Sequence, residues 1–85
     1  MIIRYTTHAQ ESIQETNLLG FCVTQDLIQK VLESPERVDT ASRHSQIIVQ
    51  RPIDEFHVLR VVYRCEFNYV LVITTYVGRR KQYER

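Results

Sequence analysis

The side chains of this sequence with chemical reach are three histidines, a set of arginines and a basic, tyrosine-bearing stretch near residue 80. His8 stands in "YTTHAQESI", at what reads as the first turn of a helix. Thr7 is the expected N-cap, His8 the first helical residue, and Gln10 completes a capping box. Helix N-termini bind anions, and histidine titrates nearest neutral pH. That combination fits phosphate chemistry, with a neutral imidazole better suited to be a base than an acid. Arg60 interrupts the apolar run "VLRVVY", and Thr75 and Tyr76 lie in the following run. Arg79, Arg80, Lys81 and Tyr83 belong to "GRRKQYER".

Metal-independent RNA cleavage uses parts of this kind. A base removes the ribose 2′-OH proton, cations hold the charge growing on phosphorus, and an acid protonates the leaving oxygen. The catalytic candidates are then His8, Arg60, Thr75 and Tyr76. The RNA-binding candidates are Arg79, Arg80, Lys81 and Tyr83, with the tyrosines able to stack on a base. Each has a plainer reading. A histidine at a helix start is often only a surface residue, and a strand arginine can pair with an acid or cover the sheet with its stem. His57 at a strand start and His44 in a loop read as incidental, and Tyr63 and Tyr69 as packing residues.

Other chemistries lack their residues. There is no H-x-E, H-E-x-x-H or G-x-S-x-G pattern, and Gly20 and Gly78 are the only glycines, so a glycine-rich nucleotide loop is excluded. Cys22 and Cys65 are far apart and form no zinc-spaced cluster. Buried free thiols are expected, with no metal and no cofactor.

The elements that must position these residues follow from periodicity. "IIRY" reads as a short strand. A first helix runs from the Thr7 cap, with Ala9, Ile13 and Thr16 on one face, and stops at Asn17 and Gly20. Leu18, Leu19 and Phe21 read as core plugs in the connection. Thr24 caps a second helix with Leu27, Ile28, Val31 and Leu32 as its apolar stripe, ended by Pro35. "RVDTAS", "QIIVQR", "FHVLRVVYR" and "YVLVITTYV" then read as four strands in a meander. The expected fold is α+β, an N-terminal strand and two helices packed on one face of a four- to five-stranded antiparallel sheet. The other face would be a shallow surface beside the basic stretch, where a site would sit. If Phe67 and Asn68 form a two-residue turn, Arg60 lies opposite Thr75, and Tyr76 points to the other face. A slip of one residue reverses this.

Length and charge agree with one small domain over residues 1–85. Hydrophobic residues make up 44% and charged residues 25%, the balance of a globular chain. No apolar run approaches the ~20 residues of a membrane-spanning helix, and the start lacks the pattern of a signal peptide. A cytoplasmic protein without membrane contact is expected. The net charge of +1 is unevenly spread. Acids prevail before Arg43 and bases after it, an asymmetry that points to a polyanionic ligand or to a solubilising basic segment.

Over its whole length the chain resembles a family of small bacterial proteins, domain of unknown function 4258. "YTTHAQESIQETN" is similar to that family's Ser-x-His-Ala-x-x-Arg-Met-x-x-Arg opening, and "VTQDLIQKVLESPERV" to its second helix. "VLRVVYR…YVLVITTYVGRRKQYER" is similar to its closing hairpin, Val-Val-Thr-Ala-Tyr before a basic end. His8 and Ala9 match the motif's His-Ala. Thr74, Thr75 and Tyr76 match the Val-Thr-Ala-Tyr region, and Arg79, Arg80, Lys81 and Tyr83 the basic end. The two arginines of the family's first helix have no counterpart between Glu11 and Thr16, which implies either weaker RNA binding here or a degenerate member without activity. The family is similar to the RelE-like toxins. The resemblance therefore implies a RelE/barnase-like fold and a toxin-type, metal-independent endoribonuclease. Its partners would be RNA, in association with the ribosome, and a cognate antitoxin protein. The alternatives are a non-catalytic protein-interaction module of the same fold and a homodimer joined through a sheet edge.

Overall fold

The computed structural model describes residues 1–40 and 45–83; His44 lies outside the described residues. The elements are β1 (Ile3–Tyr5), α1 (Thr7–Leu18), α2 (Gln25–Glu33), β2 (Arg37–Thr40), β3 (Ile47–Pro52), β4 (His57–Cys65), β5 (Val70–Arg79) and α3 (Arg80–Tyr83). The five strands form one sheet in the order β1-β5-β4-β3-β2. The expected meander of β2 to β5 is present. The sheet is not purely antiparallel, however: β1 joins the far edge parallel to β5, Ile3 standing beside Val70 and Tyr5 beside Val72. α1 carries the chain away from β1, so no hairpin constrains its direction. Among the described residues no helix is long and apolar enough to cross a membrane.

α2 forms as its stripe predicts. The Thr24 hydroxyl accepts from the Leu27 N–H, Asp26 sits in the first turn, and Ile28 and Val31 are fully buried. These two meet Val49, Leu59, Val61 and Val72 of the sheet. Each such aliphatic side chain contributes on the order of 2 kcal/mol. α1 is held differently. Only Ala9 and Thr16 are buried on it, and polar ties fix it at three points. Thr6 caps its start. Ser12 shares a hydrogen bond with Thr74, 3.1 Å apart. The Asn17 amide receives the Val23 N–H and donates to the Val23 carbonyl, at 2.7 and 2.9 Å. Gly20 then turns the chain at φ +101°, a region L side chains disfavour.

Several local expectations shift. The cap of α1 is Thr6, so His8 is the second helical residue and Gln10 closes no capping box. Thr6 wins over Thr7 because its neighbours are in the sheet: its N–H donates to the Val72 carbonyl and its hydroxyl to that of Ile73. Leu18 and Leu19 are not core plugs; they are 86% and 79% exposed, and only Phe21 of that connection packs inward. Cys22 and Cys65 are free as expected but exposed.

Hairpin register decides what each face carries. Glu66 N–H donates to Tyr69 carbonyl, so Phe67 and Asn68 do form the two-residue turn. Pairing then runs Cys65 to Val70, Arg64 to Leu71 and Tyr63 to Val72. The next pair is Val62 with Thr74, leaving Ile73 as an extra residue. This bulge displaces every later partner by one. Arg60 consequently stands opposite Tyr76, not Thr75, and Val61 opposite Thr75.

Candidate functional site

Arg60 projects from the sheet face opposite α1 and α2, and that face is not open around it. Arg60 is 5% exposed. Its Nε donates to the Tyr76 hydroxyl at 2.9 Å, one Nη to the Gln50 side-chain carbonyl and the other to Asp39 at 3.2 Å. The Tyr83 ring closes the stack, 4.1 Å from the guanidinium carbon. Tyr83 reaches this position because β5 runs directly into α3, which turns back over the sheet. Its carbonyl accepts from Arg37 at 2.6 Å and from Gln50. Its ring lies where a Cβ on Gly78 would be, 2.3 Å from the nearest ring carbon. Gly78 thus permits the close approach. Arg60 is a tie across β2, β3, β5 and α3, with its donors directed at protein groups.

His8 is elsewhere. It is exposed on α1, in the helical layer, while Arg60, Tyr76 and Tyr83 meet on the opposite sheet face. The expected convergence of His8 on Arg60 is absent. Thr75 belongs to the helix side, as the bulge requires. It is 2% exposed, and its hydroxyl has no hydrogen-bond partner among the described residues. It lines a groove of about 340 Å³ between α1 and β5, together with Ser12, Glu15, Leu19 and Tyr76. Four consecutive β5 residues, Thr74 to Val77, line this groove. Alternate side chains point to opposite faces, so a continuous run can line one groove only where the strand's edge is exposed to it.

The cations of the basic stretch gather around a different cavity, of about 500 Å³, lined by Glu55, Phe56, His57, Arg79, Arg80 and Lys81. Its wall is the β3–β4 loop, folded around one carboxylate. Asp54 Oδ1 accepts from the backbone N–H groups of Phe56 and His57, at 2.7 and 2.8 Å. Both Asp54 oxygens lie 2.9 Å from His57 Nδ1. The N–H of Phe56 is the main reason the Asp54 carboxyl is held below the usual aspartate range, with the His57 ring and backbone adding to it. The His57 ring packs edge-on against Phe21, centroids 5.0 Å apart. The Arg80 N–H donates to the Phe56 carbonyl at 2.8 Å, tying the start of α3 to the loop. Arg79 pairs with His57 across the sheet. Phe56 is 70% exposed at the rim.

The site expected from the sequence therefore divides. Arg79, Arg80 and Lys81 come together; Tyr83 joins Arg60 and Tyr76 instead; Thr75 turns to the helix side, in the groove that Tyr76 also borders, and His8 stands apart on α1. The cavity's histidine is His57, whose place at a strand start reads as incidental in the sequence. A usable signal is present in "IDEFHV": an aspartate two and three residues before free N–H groups makes an Asx-type turn, which places His57 against Asp54. No protein-family model, no curated protein and no solved structure matches this chain.

Proposed function

We propose that this chain is a small toxin-type domain that binds RNA through its phosphates, with the basic cavity as the contact surface. The observation that carries this reading is the gathering of Arg79, Arg80 and Lys81 around one cavity whose rim bears the exposed Phe56 ring. Cations that track a phosphate chain beside an exposed aromatic are what single-stranded RNA requires. On this reading the protein is cytoplasmic and RelE-like in fold, RNA is its ligand, and an antitoxin protein is its natural partner. Arg60 and Tyr83 then support the fold, and the phosphates fall to residues 79–81.

Titration of a fluorescent single-stranded RNA against the protein at increasing salt tests the reading. Affinity should fall steeply with salt. The exposed pair Arg79→Gln and Lys81→Gln should flatten the log–log slope by about 0.7 for each phosphate that is no longer neutralised. An affinity indifferent to salt and to both substitutions removes the RNA reading.

The protein-interaction module has its own supporting observation. Leu18 and Leu19 are exposed beside the groove that bears the β5 edge. A partner strand added there would meet apolar surface and the edge of β5. On the toxin-type reading this is where an antitoxin segment binds.

A further inference from the structure

β2 ends the sheet on one side: among the described residues it has β3 along one edge and no strand along the other. Such an edge presents unpaired N–H and C=O groups, a template for a further strand. Its side chains also continue two rows that begin in the interior. On the side of α1 and α2, a cross-strand row of valines runs from Val61 through Val49 to Val38. The first two are buried, and Val38 is 58% exposed. On the opposite face Arg37 and Asp39 bond to each other at 3.1 Å, and Asp39 also reaches Arg60. The Arg37 and Asp39 side chains remain 44% and 29% exposed, so each still has surface to offer.

We propose that β2 of a second copy of this chain pairs antiparallel with this edge, about a two-fold axis at Val38, and joins two molecules in one continuous sheet. The contact lies apart from the basic cavity and does not rest on the RNA-binding reading.

The order of charges selects a second copy as the occupant. An axis at Val38 sets Arg37 of each molecule opposite Asp39 of the other, so the strand is complementary to itself. Val38 then meets Val38 of the second copy, and the valine row runs unbroken from one core to the other. Neighbouring registers lose these contacts. A slip of one residue puts Val38 opposite Arg37 or Asp39. A slip of two puts Arg37 opposite Arg37, or Asp39 opposite Asp39. The sheet's other edge lacks this symmetry: β1 paired with its own copy about its central residue sets Arg4 against Arg4. β2 is only four residues long, so the contact is small and the dimer weak and reversible.

Sedimentation equilibrium of the whole chain, from micromolar to millimolar concentration, tests the proposal. Wild type should show a monomer–dimer equilibrium. Val38→Lys and Val38→Glu change an exposed side chain, so both should keep the wild-type circular dichroism spectrum. Each alone should dimerise about tenfold more weakly or worse, because like charges then face each other across the axis. Mixed in equal amounts, the two variants should associate with one another, since the lysine of one faces the glutamate of the other. Wild type that stays monomeric throughout overturns the proposal. A folded Val38→Lys protein that dimerises as wild type does also overturns it, by placing the dimer contact elsewhere. A mixture no more associated than either variant alone overturns the register about Val38.

Discussion

The Thr6 hydroxyl donates to the Ile73 carbonyl at 2.8 Å, at the one point where β5 carries a residue more than β4 can pair. The same hydroxyl accepts from the Ala9 N–H at 3.0 Å. One side chain thus caps α1 and anchors the bulge that sets Tyr76 opposite Arg60. Helix start and hairpin register are coupled through it, although the two residues lie far apart in the chain.

Thr6→Ala should lower stability by about 1–2 kcal/mol, through removal of a cap together with a hydrogen bond to the sheet. Thr7→Ala should change it by less than about 0.5 kcal/mol, since Thr7 is exposed and caps nothing. Urea denaturation of both variants checks this. Equal destabilisation would mean that either threonine can serve as the cap.

Arg60→Met should destabilise the fold by about 3 kcal/mol, because it leaves Gln50, Asp39 and the Tyr76 hydroxyl short of a donor. RNA affinity measured well below the unfolding midpoint should be unchanged. A variant that keeps its stability and no longer binds RNA would return Arg60 to the phosphate site.

Gly78→Ala places a methyl group in the Tyr83 ring. The ring must leave its position over Arg60, and stability should fall by about 1 kcal/mol. Tyr83→Ala should cost a similar amount, and the double variant little more than either alone, because both break the same packing of ring against strand. Additive effects in thermal melts would show that Gly78 and Tyr83 act independently.

The Asp54 carboxyl titrates lower in the folded chain than in the unfolded one, through the Phe56 N–H above all. Its contribution to stability is therefore present above the ordinary aspartate value and is lost as pH falls through the lowered one. Asp54→Ala should depress the melting temperature at pH 7, and the gap from wild type should close in strongly acidic buffer. A gap that stays constant with pH would place the cost in loop packing alone.

Much of the fold was legible in local pattern. The α2 stripe, its Thr24 cap, the stop before Pro35, the meander and the turn at Phe67 and Asn68 each depend on residues within a few positions of one another, and each is present. The gathering of Arg79, Arg80 and Lys81 was legible for the same reason, being a property of adjacent residues. The face that Arg60 shares with its partners was not. Side chains alternate along a strand, so the single extra residue at Ile73 moved every later β5 residue to a new partner relative to Arg60. That bulge is held by Thr6, from the other end of the chain, and no local pattern reports such a tie. The parallel direction of β1, the return of Tyr83 over Arg60 and the closeness of His57 to residues 79–81 are of the same kind. They are set by which distant backbone groups and rings find partners once the sheet closes, so composition and spacing supplied the parts, and tertiary structure chose His57 over His8 to stand among the cations.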